Sequence, residues 1–267
     1  MTAISQVFAD SAVIAKRNVI KIKRVPEILV FVLISPIMFV LLFAYVFGGA
    51  IDIQGGNYRE FLIAGIFAQT VIFGATFTGA GLAEDMQKGI INRFRVLPMS
   101  RSAVVAGRTA SDVIYNVLSL TIMSLSGLLV GWRIRGSLLE AVRAFVLLLL
   151  FAYAFSWVMA YIGLLVPSVE VINNASFMVI FPLTFIANTF VPSDNLPGPL
   201  KAFAEWNPVS SVTQATRELF GNIPPEAVEP TAWPLVNPVL YTLIWVVLII
   251  AVFAPLSVRQ YNRAKSK

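Results

Sequence analysis

Neither histidine nor cysteine occurs among the 267 residues. That removes the commonest general base and metal ligand at once, together with disulfides, thiol nucleophiles and cysteine-held metal. The ionisable residues near apolar runs, Glu27, Glu84, Asp85, Asp112, Glu140, Arg143 and Glu170, fall at the ends of those runs. A proton-coupled carrier needs such groups at bilayer depth, and an intramembrane hydrolase needs paired carboxylates or a metal site there. The phosphate-binding pattern G-x-x-x-x-G-K-[ST] is absent, and the dipeptide Gly-Lys does not occur. If ATP drives this protein, another polypeptide binds it.

Charge and apolar spacing converge in one stretch, EDMQKGIINRFRVLPMSR, from Glu84 to Arg101. Ile90, Ile91, Phe94 and Leu97 recur at helical spacing, and Pro98 is the natural stop. Glu84, Asp85, Lys88, Arg93, Arg95 and Arg101 surround that ridge. Basic residues at a membrane edge are what any cytoplasmic loop carries. A short rigid helix with an apolar ridge and charged flanks also suits a partner protein, whose groove takes the apolar knobs while the charges set register.

Polar side chains inside apolar runs form a second group. Gln69, Thr70, Thr76 and Thr78 lie in one run, and Asn173, Asn174, Ser176, Thr184 and Asn188 in another. Gln69, Thr70, Asn173, Asn174 and Asn188 are candidates for a cargo path, with interhelical hydrogen bonding as the plainer reading. Tyr153, Phe155, Trp157 and Tyr161 could stack on a planar molecule or anchor and pack a helix.

The elements that must hold these residues follow from composition. Hydrophobic residues make up 58% of the chain and charged ones 13%, against roughly 25% charge in soluble domains. Lipid is the missing solvent. Long apolar runs without ten-residue alternation predict helices instead of a barrel. Runs of about 20 residues predict six spans, near Ile28–Phe47, Phe61–Leu82, Val113–Trp132, Phe145–Val166, Val171–Val191 and Leu235–Leu256. The expected fold class is an all-α polytopic membrane protein, one membrane domain over residues 1–267.

Ahead of the first span, residues 1–26 interleave Ile4, Val7, Phe8, Ile14, Val19 and Ile22 with Lys16, Arg17, Lys21, Lys23 and Arg24. That mixture predicts an amphipathic helix in the headgroup layer. The same charge-then-apolar order, with Gly48, Gly49 and Ala50 behind it, is also that of a signal peptide, but an apolar run of about 20 residues exceeds the usual 7 to 15 and argues against cleavage.

Placing a basic residue at mid-membrane costs about 2.5 to 3.5 kcal/mol, so Lys and Arg counts orient the chain. One side collects fourteen, from the N-terminal segment, the 83–112 connection and the tail; the other collects six, Arg59, Arg133, Arg135, Arg143, Lys201 and Arg217. Both termini are therefore expected in the cytoplasm. The net charge of +6 is membrane-flanking charge, not a nucleic-acid footprint, because it lacks a basic face on a soluble domain. The external segment, 192–234, carries eight prolines and cannot be one helix; Leu200–Trp206 and Val209–Phe220 read as two short ones.

The run KGIINRFRVLPMSR resembles the cytoplasmic-loop signature of type-2 ABC exporter permeases, in particular the daunorubicin/doxorubicin resistance permease group of bacteria. Gly89, Arg93, Phe94, Pro98 and Arg101 stand at signature positions. The chain departs from the pattern with Asn92, where an acidic residue is frequent, and Val96, where a small polar residue is common. The stretch FVPSDNLPGPLKAFAEWNPVSSVTQATRELF, Phe190–Phe220, is similar to the external segment of the same family through Pro192, Leu196, Pro197, Leu200, Asn207, Pro208 and Arg217.

This resemblance implies a coupling helix seated in a separate ABC ATPase subunit, which carries the ATP and Mg, so this chain holds no cofactor of its own. It implies a second permease half, identical or related, and a bacterial plasma membrane location. The implied activity is export of drug, lipid or glycolipid cargo, with polysaccharide as the alternative within the broad family. An ATP-independent carrier or channel, and a membrane enzyme or scaffold subunit, stay open beside it.

Overall fold

The computed structural model describes residues 3–24, 34, 37–47 and 56–264. Among these residues the chain is helical throughout, without strands. Residues 28–33, 35 and 36 of the first predicted span, Ile28–Phe47, lie outside the described residues.

Helix α1, Ala3–Arg24, opens the chain. A short apolar helix, α2, Ile37–Val46, has a π-helical end over Phe43–Phe47. Helices α3, Tyr58–Gly74, and α4, Thr76–Gln87, form one 30-residue rod. The Asn57 side chain starts it by accepting the Arg59 amide at 2.9 Å. Helix α5, Ile90–Arg95, is a single short element, followed by α6, Arg101–Leu129, and α7, Leu138–Leu165. Helix α7 begins with a reciprocal capping box between Ser137 and Glu140. Helix α8, Val169–Phe185, carries Pro182 inside it. Helices α9, Gly198–Trp206, α10, Pro208–Phe220, and α11, Trp233–Val236, lead to the last helix, α12, Pro238–Arg263.

Four of these rods are long and apolar enough to cross a membrane: 58–87, 102–129, 138–165 and 238–263. Helix α8, at 17 residues, is shorter. The long rods agree with the expected spans in order and approximate place. The clearest difference is α6, which starts at Arg101 and not near Val113. Nothing in the sequence from 101 to 112 breaks a helix, so the helix runs past the apolar stretch that marks the span. The segment 192–234 matches closely: the predicted short helices at 200–206 and 209–220 correspond to α9 and α10. Prolines at the first turns of both fit there because amides in that turn have no carbonyl partner within the helix, so none is lost.

The core runs along the α3/α4 rod, whose Leu62, Ile63, Ala64, Phe67, Val71 and Ile72 are sealed from solvent. Around Phe67, the rings of Trp132, Phe145 and Phe220 stand edge-on or tilted at 5.4 to 5.9 Å, the arrangement aromatic quadrupoles favour. Trp132 adds a hydrogen bond from Nε1 to Asn222 Oδ1 at 2.7 Å. Helices α4 and α7 cross where Gly79 meets Gly163, with no room for a β-carbon on Gly163.

Candidate functional site

The Glu84–Arg101 stretch folds into a turn, a short helix and a second turn wedged between two long rods. Gly89 makes the turn, at φ 67°. A β-carbon there is strained, which is why glycine ends the rod and lets α5 turn away. Lys88 closes α4 with its amide donating to Glu84 O at 3.0 Å, and its ammonium pairs with the Glu84 carboxylate at 2.6 Å. That pairing holds the Lys88 ammonium above its usual range, through the hydrogen bond first and the charge of Glu84 second.

The apolar ridge expected to face a partner is divided between two sides. Ile91 is sealed into the bundle with Leu82, Val104, Val105 and Trp157, and Phe94 packs on the same cluster. Val96 and Leu97 face outward, 83% and 48% exposed, with Asn92, Arg93 and Pro98 beside them. A six-residue helix cannot stay folded on its own hydrogen bonds. Its inner face must anchor it, which leaves only the outer face for a partner.

The anchor runs through α1, which sequence reasoning treats only as an interfacial helix. Arg17 places Nη2 and Nη1 at 3.1 and 3.3 Å from the two Asp85 carboxylate oxygens. Its guanidinium also lies 5.2 Å from the centre of the Phe94 ring, within cation–π range. At the other side of the loop, Asp10 accepts the Ser100 amide at 2.9 Å, just before α6 begins. Ser11 and Ile14 press against Gly107, and Asn18 donates to Ser111 at 3.3 Å. One face of α1 is thus docked along α6. Among the expected coupling residues, Glu84, Asp85, Lys88, Gly89, Arg93, Phe94 and Pro98 are brought together around α5; Arg95 ends that helix and Arg101 begins α6. The separations of 68 and 90 residues that join α1 to this loop left no local pattern to read.

The residues considered for a cargo path do not converge on one place. Gln69 is buried and Thr70 half-buried on α3, whereas Asn173 and Asn174 are exposed on α8. Asn188 sits after α8, where its Oδ1 accepts from Arg217 at 2.5 Å and its Nδ2 donates to Gln214 at 3.3 Å. It lines a cavity of about 480 Å³ together with Asp194, Gln214, Arg217 and Glu218.

Arg217 is the keystone of that end. Only 2% exposed, it donates Nε to Phe61 O at 3.0 Å and Nη2 to Thr189 O at 3.2 Å, and stacks 3.4 Å above the Phe61 ring. Three neutral acceptors and a ring face take the place of a carboxylate. Beside it, Arg135 grips Glu60 with Nη2 at 2.8 Å, and Arg133 donates to Leu128 O at 2.7 Å. Arg133 therefore caps the carbonyl end of α6, where the helix dipole favours a cation. Arg133 and Arg135, two of the six basic residues on the less basic side, are thus engaged in holding helix ends together.

A bundle of long apolar helices, with a polar hairpin packed at one end and a charged short helix at the other, is the build of a polytopic membrane transport subunit. Residues 11–220 match the ABC-2 type transporter family, and the chain belongs to that family. The daunorubicin resistance ABC transporter permease protein DrrB1 of Streptomyces coeruleorubidus is 34% identical over 248 residues, covering 92% of this chain and 83% of the relative. The putative transport permease ycf38 of Cyanophora paradoxa is 26% identical over 216 residues, 79% and 73% of the two chains. The probable doxorubicin resistance ABC transporter permease protein DrrC of Mycobacterium tuberculosis is 22% identical over 236 residues, 88% and 81%. Membership of the family implies an ABC ATPase as partner.

Proposed function

We propose that this chain is the permease subunit of an ATP-driven exporter moving amphipathic drug, lipid or glycolipid cargo out of the cytoplasm or inner leaflet. Its six spans leave both termini in the cytoplasm, and α1 lies in the headgroup layer, where exposed Phe8 and Ile20 meet lipid. The ATPase carries ATP and Mg, and α5 is the surface it pushes. The observation that carries this reading is the two-sided build of α5: Ile91 and Phe94 tie it to both rods, and Asn92, Arg93, Val96 and Leu97 are left outward. A rigid lever with a free outer face transmits a push; a loop would absorb it.

A second permease half covers α8. Its exposed Asn173 and Asn174 lie on the same helix as exposed Phe177 and Met178, and an amide facing lipid is costly without a partner. The cargo leaves along that interface or its lipid-facing side. The drug-resistance names of the relatives support a drug-like cargo.

Co-purification with the candidate ATPase tests this. Arg93→Glu and Val96→Asp, both on the outer face, are expected to release the ATPase while leaving the bundle folded. Phe94→Asp acts differently, because it breaks the inner anchor under Arg17. If the ATPase stays bound through both outer-face changes, α5 is not the coupling surface, and an ATP-independent carrier becomes the better reading.

A further inference from the structure

Arg108 is a charge the sequence places at no special position and that the coupling surface does not use. It lies on α6 seven residues after Arg101, about 10 Å along the helix at 1.5 Å per residue. Its Nη2 donates to Phe77 O at 2.9 Å and its Nη1 to Asn18 Oδ1 at 3.3 Å. Its Nε is buried with no hydrogen-bond partner. Among the described residues no carboxylate makes a direct ion pair with it, although Asp112, one helical turn further on, feels its charge. The guanidinium lies so close over Gly81 that a β-carbon there would collide with it.

Around this cation is a cavity of about 350 Å³ between α1, α4 and α6, lined by Asn18, Phe77, Ala80, Glu84, Asp112 and Tyr115 among others. The two acids in the lining are already engaged. Glu84 takes the Lys88 ammonium at 2.6 Å. Asp112, 1% exposed, accepts from the Thr78 and Ser156 hydroxyls. Phe77 and Tyr115 stack at 5.7 Å, forming an apolar wall. The Tyr115 hydroxyl makes no hydrogen bond among the described residues.

We propose that this cavity binds the phosphoryl group of an amphipathic anion, with Arg108 as the cationic anchor, Tyr115 as a second donor, and the Phe77–Tyr115 wall beside the acyl part. A guanidinium with unused N–H donors recognises phosphoryl oxygens in two-point fashion. A buried guanidinium Nε without an acceptor is costly, and a phosphoryl oxygen there removes the cost. The volume exceeds what one phosphate fills and suits a headgroup. The depth, about two helical turns above the start of α6, is that of the inner-leaflet phosphates in the proposed orientation. The inference rests on that orientation for the leaflet, but not on transport or on the ATPase.

The test measures lipid occupancy and thermal stability of the delipidated full-length chain in detergent, so a failed export assay has no bearing on it. Phosphatidylglycerol is expected to raise the unfolding temperature by several degrees and to remain as one retained lipid by native mass spectrometry. A phosphate-free galactolipid with the same chains leaves the temperature unchanged. Arg108→Gln abolishes the shift, and Tyr115→Phe weakens binding about tenfold to a hundredfold, the worth of one charge-assisted hydrogen bond. Ala80→Met fills the cavity with Arg108 kept, and blocks the lipid even if Arg108→Gln fails to fold. Inorganic phosphate reproducing the full shift supports the phosphoryl site and makes its source soluble. A galactolipid shift equal to that of phosphatidylglycerol, or a shift surviving Ala80→Met, overturns the proposal.

Discussion

Arg17 holds both carboxylate oxygens of Asp85 across 68 residues of sequence, at 3.1 and 3.3 Å, while its guanidinium lies against the Phe94 ring. One side chain thereby joins α1, the end of α4 and α5. Asp85 is almost fully buried and Arg17 about one-third exposed, so solvent screens the pair only in part.

Breaking that pair is expected to loosen α5. Arg17→Gln and Asp85→Asn should each cost about 1.5 to 3 kcal/mol, the range for a hydrogen bond to a charged group. ATPase activity should lose its response to cargo before the ATPase dissociates. Cargo-stimulated ATP hydrolysis in proteoliposomes measures this. The exchanged pair Arg17→Asp with Asp85→Arg should recover part of the response, because attraction between the two positions is restored; no recovery would mean the two positions act separately.

Arg217 is expected to tolerate no replacement. Arg217→Met removes the donor for Phe61 O, Thr189 O and Asn188 Oδ1 together and should cost about 3 to 5 kcal/mol, the scale for breaking a buried charged network. Arg217→Lys should recover little, since an ammonium cannot present a planar fork to three acceptors and stack on a ring. Unfolding temperature in detergent reads both. A lysine variant of wild-type stability would show that the charge alone suffices.

The crossing of α4 and α7 should be equally strict. A β-carbon on Gly163 meets the Gly79 backbone, and neither rod can yield without moving its whole span. Gly163→Ala is expected to cost about 1 to 3 kcal/mol through overpacking. Alanine at the open Gly198, with nothing nearby, should leave the unfolding temperature unchanged and serves as the control.

Because the chain contains no cysteine, introduced thiols report topology without background. Val96 and Val228 are 83% and 67% exposed at opposite ends of the bundle. Val228→Cys should react with a membrane-impermeant maleimide in intact cells, and Val96→Cys only after the membrane is opened. The reverse pattern would invert the proposed orientation.

Composition and periodicity alone determined the membrane class, the order of the apolar rods and the two short helices before the final span. They suffice because lipid demands long runs of apolar side chains with backbone bonds closed inside each helix, and those are local properties. The short-helix stretch from Glu84 to Arg101 was also legible, since its glycine turn, helical spacing and proline stop are local signals. What the tertiary structure alone decided is which way each side chain works. Ile91 and Phe94 turn inward, because a six-residue helix needs an anchor. Arg17 and Asp10 serve that anchor from some 70 to 90 residues away, and Asn188 holds Arg217 in the hairpin. Arg108 and Asp112 enter the bundle because α6 continues twelve residues beyond its apolar stretch. Partnerships of this kind depend on which helices meet, and a polar residue at a helix position gives no local sign of its partner.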